Sequence, residues 1–261
     1  MPIRTSVSET GGFSPQVSES RRQSGAYRLR FASTQEDLNA VFRLRFLVFN
    51  LELGEGLESA HQCGYDSDQF DEICEHLIVE HVTSGLVVGT YRLQTGRRAA
   101  TRLGFYSARE FDFSPFEPLR DQMLELGRAC IHREHRSFDV LTLLWRAIAV
   151  CARENNARYL VGCSSLTSQS CTEASQMYWR LQGFLAKPAF QTRPLPRFEI
   201  PIEPPSSAAA QTPPRLLRAY LSIGARICGP PAIDREFKTI DFLTLLDLEQ
   251  LSGAARSRFM K

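Results

Sequence analysis

The sequence predicts an α/β (α+β) fold, a central mixed β-sheet with helices on both faces. Three observations predict it. Strand-length apolar runs stand at residues 27–32, 76–81, 86–93, 124–131, 159–165 and 240–246. Segments with helical apolar spacing separate most of them, and the second and third runs form a hairpin that turns at Thr83-Ser84-Gly85. The resulting order is strand, helix, hairpin, strand, helix, strand, helix, strand.

Residues 1–25 are rich in Ser, Thr, Gly and Gln without periodicity, so they are expected to be disordered. The alternating run 27–32 is the first strand. Ser33 or Thr34 then caps an amphipathic helix carrying Leu38, Val41, Phe42, Phe46 and Phe49. Residues 51–71 make a long acidic connection. Its Asp66-Ser67-Asp68-Gln69-Phe70-Asp71 offers hard-oxygen ligands but lacks the central Gly and final Glu of a twelve-residue calcium loop, so no metal is expected. After the hairpin come a basic loop, 97–102, and an aromatic stretch with Phe105, Tyr106, Phe111 and Phe113.

Residues 124–131 are the strand around which the chain is organised. Glu125 and Arg128 are opposite charges in a short apolar run, costly unless they pair or face a cleft. Arg133 and Arg136 follow, and Ser137 or Asp139 caps a helix over 140–154. A strand that feeds a helix N-terminus beside arginines is suited to a phosphate. Another buried strand, 159–165, precedes a helix at 172–181, and the proline-rich stretch 187–205 is extended or irregular. Residues 204–214 read as a linker; 215–261, with a helix at 216–223 and the last strand, form a C-terminal extension packing on one domain that spans 26–261.

Composition narrows the function. With 31 basic and 29 acidic residues the chain is no general polyanion binder, and its arginines are not interleaved with stacking aromatics, which argues against nucleic acid. Seven cysteines without CxxC spacing, and no apolar leader or membrane-length run, predict a reduced, cytoplasmic protein. Cys130 beside His132 and His135 resembles a nucleophile and base, yet neighbouring strand residues face opposite sides, so Cys130 is expected in the core. Three residues separate His135 from Asp139, where the acyltransferase His/Asp dyad has four, and the dyad is set aside. Glu125 with Arg128 is the stronger pair: an arginine-oriented carboxylate at a strand end can accept a proton from an attacking amine. Its rival is a structural salt bridge, for instance to Arg45.

Four motifs in order, Leu44 to Phe49, Asp68 to Asp71, Val88 to Leu93 and Glu125 to Arg128, resemble the autoinducer-synthase-like branch of the GNAT acyltransferases. Within it the ornithine–acyl-carrier-protein N-acyltransferases and the long-chain N-acyl amino acid synthases are most similar. The resemblance implies a sheet split open in a V, with the acyl donor in the gap and direct attack of an amine on a thioester. It also implies that a bulge in the strand 124–130 polarises the carbonyl. Glu125 and Arg128 would be catalytic; Arg45, Asp68, Asp71 and Arg92 would form the polar amine site.

No Gly-rich pyrophosphate loop follows the strand, which favours acyl carrier protein over acyl-CoA as donor and no tightly bound cofactor. Arg133, Arg136, Ser137 and Arg146 would meet its phosphopantetheine arm and acidic surface, while Phe105, Tyr106, Phe111 and Phe113 would line an acyl pocket. The expected reaction is transfer of a long acyl chain to the α-amine of an amino acid, with ornithine expected because Asp68 and Asp71 suit a dibasic acceptor. Glycine or tyrosine synthases, an acyl-homoserine lactone synthase and a silent acyl-binding module are the alternatives. A lipid product leaves peripheral contact with the inner membrane open.

Overall fold

A computed structural model describes residues 23–204, 212–251 and 253–259. Most of the segment expected to be disordered, and most of the linker, lie outside these residues. Nine strands form one mixed sheet: β1 (Gln23–Ser24), β2 (Tyr27–Phe31), β3 (Glu75–His81), β4 (Val87–Thr95), β5 (Met123–Ile131), β6 (Tyr159–Leu166), β7 (Arg226–Ile227), β8 (Ala232–Asp234) and β9 (Thr239–Asp247). The order is β1-β2-β3-β4-β5-β6-β9-β7, with β8 also on β9. Among these described strands, β5 and β6 are the one parallel pair.

Alternation assigns the faces. Tyr91, Leu93 and Leu124 point to a core filled by Leu144 and Ile148 of α4 (Phe138–Glu154), while Arg92 and Glu125 point the other way. That second face is covered by α1 (Gln35–Arg45), where Thr34 and Asp37 form a reciprocal capping box. The helix does not stop as its periodicity suggests. It widens into π-type turns over Phe46–Leu53 before Gly54 ends it at a φ of 68°. Short helices α2 (Ala60–Cys63) and α3 (Gly96–Ala100) follow, the latter occupying the expected basic loop.

Later helices are α5 (Cys171–Arg180), α6 (Arg215–Ile223) and α7 (Gly253–Phe259). Helix α6 packs on the α4 side, where Tyr220 lies 5.4 Å from the Trp145 ring and its hydroxyl bonds that of Tyr91. The expected C-terminal extension is more than an outer layer. Strand β9 pairs with β6 over eight positions, from Tyr159–Asp247 to Leu166–Ile240, and is therefore an interior strand. No helix among the described residues is long and apolar enough to cross a membrane.

Two irregularities position the site. Pairing of β5 with β6 runs from Met123–Tyr159 only to Glu125–Val161, and beyond it the strands part. Gly162 stands at the fork; a Cβ there would lie 2.2 Å from the Leu126 carbonyl oxygen, so only glycine lets the strands meet this closely before they diverge. The second is in β5 against β4, where the register passes from Thr90–Cys130 to Arg92–Gly127 and leaves one extra residue in β5. Arg128 occupies the bulge at a φ of 49°, a left-handed conformation uncommon outside glycine.

Candidate active site

The parting of β5 and β6 opens a cavity of about 480 Å³ that passes through the sheet. Leu141, Leu216 and Leu217 line it on the α4 and α6 side; Val48, Phe49 and Phe237 line it on the α1 side. Between them the wall is β5 from Glu125 to Ile131 and β6 from Cys163 to Ser165. Cys130 faces Thr90, and His132 donates its N–H to the Val88 carbonyl at 2.8 Å. By strand alternation the N–H groups of Ala129 and Ile131 point away from β4, toward the gap.

The charged residues expected at the amine site do come together, as a closed network. Arg45 donates two parallel hydrogen bonds to Asp71, at 2.8 and 3.1 Å, and one to Asp66 at 2.9 Å. Arg92 bridges Asp68 at 2.6 Å and Asp71 at 2.9 Å. Arg128 reaches Asp68 at 2.9 Å, and its Nε lies 3.5 Å from Asp66. Three arginines thus balance three aspartates. Burial pushes the Asp68 and Asp71 carboxyls up, but the guanidiniums outweigh it and hold both below the ordinary carboxylate range. His76, against Asp71, is pulled down to about 4 chiefly by burial and is neutral at pH 7.

Local sequence explains why the loop arrives there. Asp68 caps the short turn Gln69–Glu72 and Asp71 closes it reciprocally, a capping box whose carboxylates also meet the arginines. Asp66, fully buried, is a member that sequence reasoning missed; its place in the Asp66-Ser67-Asp68 run was the available signal.

The expected Glu125–Arg128 pair does not form. Arg128 turns to the aspartates at the bulge and lies 4.2 Å from the Phe237 ring centroid and 5.0 Å from that of Tyr106. Nor does Arg45 reach Glu125, since Asp66 and Asp71 occupy it. Glu125 accepts instead from the backbone N–H of Tyr106 at 2.8 Å, and from the N–H and hydroxyl of Ser107 at 2.8 and 2.7 Å. Burial raises its carboxyl and these bonds moderate the rise. A carboxylate has about four acceptor sites, so these three bonds leave one, and Glu125 is among the residues that line the cavity.

The other expectations divide. Arg136 and Ser137 line the cavity mouth, yet Arg136 is clamped on Glu52 by two bonds of 2.6 and 2.8 Å, and Ser137 caps α4 by accepting from the Val140 N–H. Arg133 is exposed on the turn before them, whereas Arg146 stands on the outside of α4, more than two turns from its start, and does not line the cavity. Of the four aromatics assigned to the acyl pocket only Tyr106 reaches it. Phe105, Phe111 and Phe113 pack with Phe116 in a separate core, with Phe113 5.6 Å from Phe105 and 5.1 Å from Phe116. Cys130 is in the core as expected, its thiol pushed up to about 12 by burial.

Comparison with known proteins agrees with this geometry. Residues 44–146 match the model of the acetyltransferase (GNAT) domain. An L-ornithine N(alpha)-acyltransferase of Brucella abortus is 32% identical, over 90% of this chain and 92% of the relative. The enzyme of the same name from Rhodobacter capsulatus is 29% identical, over 90% and 95%. Among solved structures FeeM, an N-acyl amino acid synthase from uncultured soil microbes, superposes with a TM-score of 0.55 at 10% identity, covering 90% of this chain and 96% of FeeM. At that identity the likeness shows the fold alone.

Proposed function

Because the chain belongs to the L-ornithine N(alpha)-acyltransferase family, and is therefore an N-acyltransferase, we propose that it moves a long fatty acyl group from an acyl carrier protein thioester to the α-amine of ornithine. The observation that carries this reading is the gap through the sheet between β5 and β6, which lets a thioester and an amine approach one another from opposite faces.

The donor enters on the α4 side. Its phosphopantetheine phosphate lies near the start of α4, where free N–H groups, the helix dipole, Arg133 and Arg136 favour an anion. To bind it Arg136 exchanges Glu52 for phosphate, and Arg146 serves at most as a remote contact for the acidic carrier. The acyl chain lies along Leu126, Leu141, Leu216 and Leu217, the apolar wall on the same α4 and α6 side. The thioester carbonyl then points at the inward N–H groups of the bulged strand, which stabilise the oxyanion as the amine attacks.

On the far side Glu125 takes a proton from the substrate α-ammonium, directly or through a water, so that the free amine attacks; collapse of the tetrahedral intermediate then breaks the C–S bond, and the phosphopantetheine sulfur leaves as a thiol on taking up a proton. The elevated affinity of Glu125 for a proton suits that work. Arg45, Asp66, Asp68, Asp71, Arg92 and Arg128 hold the bulge in shape. A neutral network has no charge left for a substrate ammonium, so the dibasic-acceptor role first given to Asp68 and Asp71 is not part of this reading. The open gap also speaks against a silent module with a filled core.

The test is direct. Purified protein is incubated with palmitoyl-acyl carrier protein or palmitoyl-CoA and with ornithine, glycine or tyrosine, and products are read by mass spectrometry. N-acylornithine from the carrier-protein thioester is expected. Products from glycine or tyrosine alone refute the acceptor, and faster transfer from CoA refutes the donor. No product of any kind removes the reading.

A further inference from the structure

Beyond the network, a second set of buried carboxyl groups flanks the cavity, and among the described residues this set has no cationic partner. Glu55, Glu110, Asp234 and Asp241 are between 1 and 6% exposed. Glu55 follows the π-type turns and receives the Thr167 hydroxyl. Asp234 ends β8 and accepts the N–H groups of Glu236 and Phe237, both at 2.8 Å, and the Tyr106 hydroxyl at 3.4 Å. Asp241, on β9, receives the Thr239 hydroxyl at 3.3 Å through one oxygen and has the Ser165 and Glu110 side chains beside it; its Oδ1 is buried and has no hydrogen-bond partner among the described residues. Among the described residues none of the four forms an ion pair with an arginine or lysine, in contrast to Asp66, Asp68 and Asp71.

Three of these acids, Glu55, Asp234 and Asp241, line the same cavity as Glu125. Bringing several carboxylates together out of water is costly, and an unsatisfied oxygen adds to the cost, unless a proton or a positive group joins them; burial accordingly raises the Glu55, Glu110 and Asp241 carboxyls, and a cation in the cavity would relieve the same cost. We infer that Glu55, Asp234 and Asp241 bind the side-chain ammonium of a diamino acid acceptor, with Asp241 Oδ1 as its direct partner. This rests on the acyl-transfer reading of the cavity and supplies the acceptor selectivity that the neutral network cannot.

A metal ion is the competing occupant, because oxygens of Glu110 and Asp241 and the Cys163 sulfur lie within 4.8 Å of one another. Ammonium is favoured on two grounds. Glu110 is not part of the cavity wall, and the Cys163 thiol is held protonated by burial beside the acids, so a metal would have to displace that proton. Alkylammonium asks only for acceptors, and Ser165, paired with Asp241 across the strands, and Thr167 stand on the same wall to complete its shell.

The experiment compares L-ornithine with L-norvaline, which has the same carbon chain without the terminal amine. Binding to the full chain is measured by calorimetry and, separately, kcat/KM for acyl transfer to each. The intact protein is expected to favour ornithine by a factor of about ten to a hundred, the usual worth of a charge-assisted contact. Asp241→Asn is expected to abolish most of that ratio through KM for ornithine. Glu55→Gln, checked for folding by circular dichroism, is a second variant expected to lower it. Equal binding of the two amino acids, or a preference that survives both substitutions, overturns the inference. Stoichiometric metal in the purified protein that is lost in Asp241→Asn also overturns it. If ornithine binding depends on Asp241 but no thioester yields product, the acyl-transfer reading fails while the ammonium site stands.

Discussion

Arg128 and Asp68 meet at 2.9 Å across two parts of the chain, an arginine in the bulge of one strand and an aspartate that caps a distant turn. The contact ties the left-handed residue that deforms β5 to the loop lying over it. Replacing Arg128 by glycine separates shape from charge, because glycine accepts a φ of 49° freely but leaves Asp68 short of a cation. Arg128→Gly is expected to cost about 3–5 kcal/mol, the range for breaking a buried pair. Arg128→Lys keeps the charge and should cost less. Urea denaturation decides; equal stability of both variants and the parent contradicts the account.

Glu125 holds the Tyr106–Ser107 loop, lines the cavity and has one acceptor site to spare. Glu125→Gln is expected to lower kcat by about 10²–10⁴, as removal of a general base does, while leaving donor binding within a few-fold. Stopped assays over a pH range check it: the rise of rate with pH in the parent should flatten in the variant.

Gly162 at the fork allows no Cβ, because one would fall 2.2 Å from the Leu126 carbonyl. The neighbour is backbone and cannot swing aside. Gly162→Ala is expected to destabilise by about 1–3 kcal/mol, as overpacking does, and to spread β5 from β6. Thermal melting gives the first quantity; faster amide exchange at Leu126 and Gly162 would report the second.

Glu55 carries a pH dependence of definite sign. Burial pushes its carboxyl from 4.5 up to about 7 in the folded chain, so the folded state favours the protonated form. The stabilisation this gives is complete below the unfolded value and is lost as pH rises toward 7. Glu55→Gln removes the loss. Near pH 5 the variant and parent should therefore differ little, and near pH 8 the variant should be more stable by roughly 2–3 kcal/mol. Denaturant titrations at the two pH values are the check, and an unchanged difference rejects the shift.

The aromatic core away from the gap gives a contrast. Phe111→Ala is expected to cost about 3–5 kcal/mol and to leave the chain length of the acylated product as it was. Leu141→Trp, inside the cavity, is expected to shorten the preferred acyl chain. Product profiles from a mixture of thioesters separate the two.

Much of this was legible in the chain. Tyr91, Arg92 and Leu93 alternate across a strand, so one face had to be core and Arg92 had to find an acid on the other. The residues of the charged network were nearly all foreseeable, because buried arginines and aspartates need one another. Their pairing was not. Arg128 follows Glu125 closely in sequence, yet the extra residue at the bulge turns its side chain to Asp68, and nothing in a linear pattern announces a bulge. The aromatic run 105–113 misled for a related reason: apolar spacing does not say which of two cores a residue joins, and Phe116 and Met123 drew three of the four rings away from the gap. Asp241 was readable in principle, being a lone acid between Ile240 and Phe242, the same sign that drew attention to Glu125.

The turn at Gln69–Glu72 borrows its shape from elsewhere. Asp68 and Asp71 close its ends and at the same moment take hydrogens from arginines on α1, β4 and β5. Such a loop has little reason to settle until all three elements have assembled, since before then its acids repel one another in water. Its ordering is coupled to that of those elements, and a chain with the sheet half built lacks the bulged strand's support: the capacity for chemistry depends on the whole architecture being in place.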